Sequence, residues 1–396
     1  MSSTRQFFVV MHRWAGLYLA LWLSIVGLTG AVLAFFPELE RTFAPPSNIG
    51  AEAGQSLLLA EQLVQAATSH AKPGMLVGYA PLKVEPDTAF RVFFAAPEAK
   101  AGAEPESEEI LLNPYTSAII VDDSEETLAM TILFTIYDLH YTLLLGEIGR
   151  TILGISALIW TIDCFVGGYL TFPVRRKAAV AGQKSWFHRW RPSWLIRRKT
   201  NGYKFSFDLH RAGGLWVWAM LLVFAWSSVA FNLGQVYTPV MKVFGYQDFE
   251  AESVSTLPPG AAITDWQQAL RIARADATSF GAQSGFTVKS ENGMNYDIAR
   301  GFYRYNFVSS ADNETIHTSE IVVDGRTGAV VQRLTAANRP TANALTDWIL
   351  ALHMARWGGL AFKIFVSFMG LLITALCVTG VIVWMKKRSA RLRRAI

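Results

Sequence analysis

Four long apolar stretches punctuate the chain, and two polar regions of a different rhythm lie between the first and second and between the third and fourth. The first stretch, FFVVMHRWAGLYLALWLSIVGLTGAVLAFF from Phe7 to Phe36, holds one charged residue. At about 1.5 Å of rise per helical residue it can cross a hydrocarbon core of about 30 Å. The same reasoning predicts spans at about 151–172, 209–233 and 360–385. A secretory leader has a shorter apolar region and a small-residue cleavage site. This stretch is long, aromatic and followed by PELERTF, so it is expected to remain as an anchor.

The polar regions mix two periods. LLLAEQLVQAATSH and ITDWQQALRIARADATSF have helical spacing, while FRVFFAA, YRYNFVSS, ILLNPYTSAIIVDD and IVVDGRTGAVVQRL are strand-like. In the last two, Asn-Pro-Tyr-Thr and Asp-Gly-Arg-Thr-Gly supply turn chemistry between β-branched runs. The expected organisation is an N-terminus and first span (1–37), an α+β region (38–130), a short helix and second span (131–173), and a basic loop (174–207). A third span (208–236), a second α+β region (237–341), a short helix and fourth span (342–385), and a basic tail (386–396) complete it.

Composition agrees with a bilayer as solvent: 52% of the 396 residues are hydrophobic and 17% charged. Charge is segregated. Val174 to Lys204 carries ten Lys or Arg and no acid, and KKR and RLRR follow Trp384, whereas Glu38 to Thr131 holds fifteen acids against five bases. The positive-inside rule therefore puts both termini in the cytoplasm and the α+β regions on the far side. Trp186, Trp190 and Trp194 recur at helical spacing among arginines, as in an interfacial helix on lipid headgroups. The basic segments are thus read as bilayer-facing, with no nucleic-acid partner. Neither of the two cysteines lies in C-x-x-C-H, which argues against a disulfide scaffold and against covalent haem.

The chain also reads as a tandem duplication. HRWAGLYL at His12 matches HRAGGLWV at His210, an offset of 198, and LHYTLLLGEIGR at His140 matches LHMARWGGLAFK at His353, an offset of 213 that also relates Cys164 to Cys377. The repeat sorts the seven histidines: His12, His210, His140 and His353 hold matched positions, while His70, His188 and His317 do not and are expected at the surface. His12 and His210 begin spans one and three on one side, and His140 and His353 precede spans two and four on the other. The expected pairs are therefore His12/His210 and His140/His353. Intramembrane histidines can hydrogen-bond neighbouring helices or bind a non-haem metal, but two symmetric pairs suit axial ligation of two b-type haems, one near each membrane face. Arg13 and Arg211, each following a ligand candidate, are candidate partners for haem propionates, though plain positive-inside anchoring explains them equally well. Arg150, Arg356 and Lys363 are the counterparts at the other face, where snorkelling to headgroups is the alternative. Gly16, Gly30, Gly214 and Gly370 leave room for a macrocycle or for helix contact. Asp163, inside the second span, is a candidate proton relay or ligand-orienting group.

Through the H-R-x-x-G span starts, the LH-x4-LG-x2-GR stretch from Leu139 to Arg150, and the NPYT and DGRTG turns, the chain resembles the PepSY-associated transmembrane family of bacterial inner-membrane proteins. The resemblance covers nearly the whole chain. It implies an α-helical integral membrane fold with two PepSY-like α+β periplasmic domains. It also implies kinship with two-haem reductases that reduce a ferric siderophore and release Fe(II). LHMARWGGLAFK departs from the motif, and Ser117 stands where the second turn has Gly328. No G-x-G-x-x-G follows a strand and the cytoplasmic loop is too short for a nicotinamide or flavin domain, so a cytoplasmic or quinol electron donor must be external. The rival readings are a quinol-linked cytochrome with no ferric-chelate substrate, and a non-catalytic module that regulates or assists uptake.

Overall fold

The fold was analysed on a computed structural model that describes residues 3–43, 49, 55–96, 106–120, 127–174, 185–197, 199–247, 264–298 and 300–395. Residues 175–184 of the basic loop lie outside the described residues. In chain order the helices are α1 (Ser3–Leu33), α2 (Phe36–Phe43), α3 (Ala60–His70), α4 (Leu128–Thr142), α5 (Gly146–Thr171), α6 (Trp186–Trp190), α7 (Gly202–Trp216), α8 (Trp218–Asn232), α9 (Gly234–Val243), α10 (Trp266–Ser284), α11 (Thr341–His353) and α12 (Gly359–Ala395). The strands are β1 (Leu76–Pro81), β2 (Phe90–Ala95), β3 (Ser107–Leu112), β4 (Val288–Asp297), β5 (Phe302–Ser309), β6 (Ser319–Asp324) and β7 (Val330–Leu334). They belong to two compact units, one of residues 1–44, 127–244 and 345–396, the other of 45–126 and 245–344.

In the first unit α1, α5 and α12 are each long and apolar enough to cross a membrane, and α7 with α8 makes a fourth candidate span bent by 72°. The sequence predicts that span as one continuous helix. The break falls at Val217, where Trp216 donates Nε1–H to Trp194 O at 3.1 Å and Trp218 donates Nε1–H to Cys164 O at 2.8 Å, so the chain is held in two directions on either side. The nearby Gly213 and Gly214 weaken the helix locally. Glycine also sets a close helix approach: a Cβ on Gly370 of α12 would lie 2.3 Å from Gly27 O of α1. Small residues let two apolar helices reach full van der Waals contact where lipid offers no hydrophobic drive. The predicted interfacial helix shortens to α6 and a 3₁₀ turn at Arg191–Trp194 containing Pro192, with the Trp190 ring tilted 5.1 Å from Trp186 and edge-on 5.0 Å from Trp194.

Two corners bring the short helices back toward the spans. Thr127 caps α4 by accepting from Met130 N, and the α4–α5 corner then places Leu143, Leu144 and Gly146 at positive φ. The α11–α12 corner does the same with Ala355, Gly358 and Gly359.

The second unit corrects the expectation of two α+β domains. Its strands form one seven-stranded sheet in the order β3-β2-β1-β4-β5-β6-β7, joined where β1 pairs antiparallel with β4 through Tyr79–Asn295, Ala80–Met294 and Pro81–Gly293. Three or four strands with one helix bury little apolar surface, and each half alone would leave its inner strand edge unpaired; fusion removes both costs. Leu63, Val64 and Ala67 of α3 and Leu270, Ala273 and Ala277 of α10 share a core with Val92, Phe94, Tyr305 and Phe307. The two turns adopt matching forms, with Ser117 N donating to Asn113 O at 2.9 Å and Gly328 N to Asp324 O at 2.8 Å. Ser117 has φ 57°, a left-handed position that Gly328 (φ 70°) occupies without a Cβ penalty. After the first turn the returning strand reduces to a single bridge, Leu112–Ile119.

Arg274 ties the halves together, donating to both carboxylate oxygens of Glu291 on β4 at 2.6 and 2.7 Å and to Glu61 on α3. Burial pushes the Glu291 carboxyl up, but hydrogen bonds from Arg274 and Tyr305 outweigh it and hold its pKa below the ordinary value. Such a group contributes stability above its unfolded pKa and loses it as pH falls through the lower folded value. Scanning calorimetry should therefore show a stability loss below about pH 4.3. Arg274→Met should remove that part of the pH dependence and cost about 1–3 kcal/mol at neutral pH; an unchanged pH slope in the variant would contradict this role.

Candidate functional site

The structure brings the four repeat-matched histidines together in twos. His12 on α1 faces His210 on α7 with ring centroids 6.1 Å apart, and His140 at the end of α4 faces His353 at the end of α11 at 6.5 Å. Two imidazoles on opposite sides of one metal, each bonded at about 2 Å, would have centroids roughly 6 Å apart, as these do.

Their hydrogen bonds fix the tautomer. His12 Nδ1 lies 2.8 and 3.0 Å from the two carboxylate oxygens of Asp163, and His210 Nδ1 lies 2.9 Å from the backbone oxygen of Leu376, so both donate Nδ1–H. Thr29 Oγ1 gives its proton to Ile25 O at 2.9 Å and Ser227 Oγ gives its proton to Val223 O at 2.6 Å. With the hydroxyl protons assigned to those carbonyls, each oxygen accepts, from His140 Nδ1 at 2.9 Å and from His353 Nδ1 at 2.6 Å. All four rings thus carry the proton on Nδ1 and present Nε2 as a lone pair, the arrangement in which a second nitrogen's hydrogen bond orients a metal-binding imidazole.

Glycines make the space. A Cβ on Gly30 would lie 2.9 Å from His140 Cε1, and one on Gly167 or Gly380 would lie 3.4 or 3.2 Å from Cε1 of His12 or His210. Gly16 and Gly214 instead have nothing within 4 Å, because both line a cavity of about 970 Å³ that also reaches His12, His210, Asp163 and Cys164. Pockets for ligands of several hundred daltons occupy about 300–1,000 Å³. Arg13 and Arg211 line it too, with Arg5, Lys387, Arg388 and Arg391. Arg13 makes no hydrogen bond or ion pair among the described residues. Arg211 is partly diverted: it donates Nη2–H to Pro192 O at 2.8 Å and to Asp208 at 3.1 Å, although its buried Nε has no partner among the described residues.

The remaining candidates separate cleanly. Asp163, left open between proton relay and orienting group, is the hydrogen-bond partner of His12. Gly370 serves helix contact. Arg150 pairs with Glu147 at 2.7 Å and Lys363 with Glu38 at 2.5 Å, so both already have carboxylate partners. His70 and His188 are exposed, as expected. His317 is not: its side chain is 17% exposed and its Nδ1 lies 3.5 Å from Asp312, a residue of the loop before β6 whose side chain is buried. Sequence reasoning passed over Thr29, Ser227 and Asp208. Thr29 and Ser227 stand at the 198-residue offset and are hydroxyls within apolar runs, a readable signal; Asp208 is a fully buried acid clamped by Arg197 at 2.6 and 2.9 Å.

A family model described as PepSY-associated TM region matches residues 9–387. Among curated proteins none matches the chain.

Proposed function

Because the chain belongs to the PepSY-associated transmembrane family, we propose that it binds two b-type haems without covalent attachment, at His12/His210 and His140/His353, and carries electrons across a bacterial inner membrane. The observation that carries this reading is the common tautomer of four rings standing in two facing pairs at metal-spanning distance. A haem held between the two imidazoles of a pair would supply one-electron exchange with little rearrangement. Asp163, Leu376 O, Thr29 and Ser227 orient the four rings. Gly16 and Gly214 leave the cavity open for a flat macrocycle, and Arg13, with the unpaired Nε of Arg211, offers donors to its carboxylates. The partners and the glycines recur at the 198- and 213-residue offsets, Thr29 with Ser227, Asp163 with Leu376, and Gly167 with Gly380, which supports a tandem duplication as the origin of the two sites.

The acceptor we propose is a ferric siderophore at the periplasmic face, on the side of α4 and α11, with the donor a quinol or a cytoplasmic reductant near the basic end. Ferric iron binds hard oxygen chelators tightly and ferrous iron weakly, so one electron releases the metal. The purified chain should be red, with a Soret band that shifts on dithionite addition; a colourless preparation from haem-replete cells would remove the haem reading and leave the non-catalytic module. Reduced protein mixed anaerobically with ferric siderophores should reoxidise. Reoxidation by quinones alone would replace the siderophore as substrate.

A further inference from the structure

The four histidines share a tautomer but not a kind of partner. His210 donates to a backbone carbonyl and His140 and His353 donate to hydroxyls, all neutral. His12 alone donates to a carboxylate, and it reaches both oxygens of Asp163. The equivalent place in the other repeat is Leu376, whose side chain has no charge. The Asp163 side chain is 11% exposed, and among the described residues its ion-pair partner is His12, with no lysine or arginine in reach.

A buried carboxylate is costly unless positive charge lies close by. Beside a metal that gains and loses one electron, it is better compensated in the oxidised state, which carries one more positive charge. Its hydrogen bond acts in the same direction: drawing Nδ1–H of His12 toward oxygen raises the donor strength of Nε2, and a stronger donor favours the higher oxidation state. Thr29 and Ser227 offer the other pair no comparable charge.

We propose that Asp163 is a positioning residue that makes the two sites unequal, holding the reduction potential of the haem at His12/His210 below that of the haem at His140/His353. The inference rests on the two-haem reading above. Its consequence is a built-in direction, from the end carrying the termini toward the end carrying α4 and α11. The arginines and Lys387 at the cavity act in the opposite sense, so a decisive test removes the Asp163 charge and nothing else.

Asp163→Asn does so, because the amide oxygen can still accept from Nδ1–H. In spectroelectrochemistry of the full-length protein, the wild type should show two components, with His353→Ala retaining the lower and His210→Ala the higher. In D163N the lower component should rise toward the higher, which stays in place. D163N with two haems and an unmoved lower component overturns the proposal, as does the reverse order in the single-pair variants. Loss of the His12/His210 haem in D163N also overturns it, since the carboxylate would then build the site instead of setting its potential. Wild-type protein without haem would instead sink the two-haem reading itself.

Discussion

Replacing His353 with alanine should halve the haem content, from two per chain to one, in a pyridine haemochromogen assay of purified protein. The ring sits between Phe224 and Phe231, whose centroids lie 5.2 and 5.3 Å away edge-on, with Ser227 holding its Nδ1. Truncation removes one of the two facing imidazoles proposed to hold the haem. His140→Ala should reproduce the result, and combination with His12→Ala should remove all haem. His70→Ala and His188→Ala should retain two. Full haem content in His353→Ala would refute the pairing.

The second large effect is structural. Gly370→Leu should abolish most folded protein, seen as a collapse of the monodisperse peak in detergent and a lower melting midpoint. The atoms a new Cβ would meet are Gly27 O at 2.3 Å and Ala31 N and Cβ at 3.1 Å, and none of them can rotate away. The helices must separate, which forfeits packing that is their main source of association in lipid. Overpacking in well-filled interiors costs about 1–3 kcal/mol for added methylenes, and a helix pair that parts loses more than that. Gly202→Ala, where nothing lies within 4 Å of the new methyl, is the control and should melt within about 0.5 kcal/mol of the parent. A Gly370→Leu protein that folds and melts like the control would show that the helices tolerate the wider separation.

Much of the site could be read from the sequence because its signals are one-dimensional. Apolar length announces a span wherever it falls, and the offsets of 198 and 213 residues isolate four histidines from seven without any knowledge of contacts. Pairing followed from the side of the bundle on which each histidine sits. What stayed hidden depends on helix rotation. Asp163 was visible as an acid in a span, but the bond to His12 requires knowing which face of α5 meets α1. Arg211 was offered as a ligand-carboxylate partner on adjacency alone; Asp208, a fully buried neighbour, claims part of its hydrogen bonding. The bend at Val217 arises from tryptophan bonds to distant carbonyls, and hydropathy carries no trace of them. His317 looked like a surface residue because its neighbours are polar, yet a loop buries polar residues when they pair, here with Asp312.

The pairing of β1 with β4 has a consequence for how the protein is made. β1 ends at Pro81, and its partner does not begin until Val288, after the second and third apolar helices have been synthesised. Until then the first half carries a finished but unmatched strand, a template for pairing with a sister chain. The growing polypeptide therefore passes through a stage in which its N-terminal half is complete in sequence but open in structure. Ribosome pausing or truncation between residues 121 and 287 should yield aggregates linked through that edge.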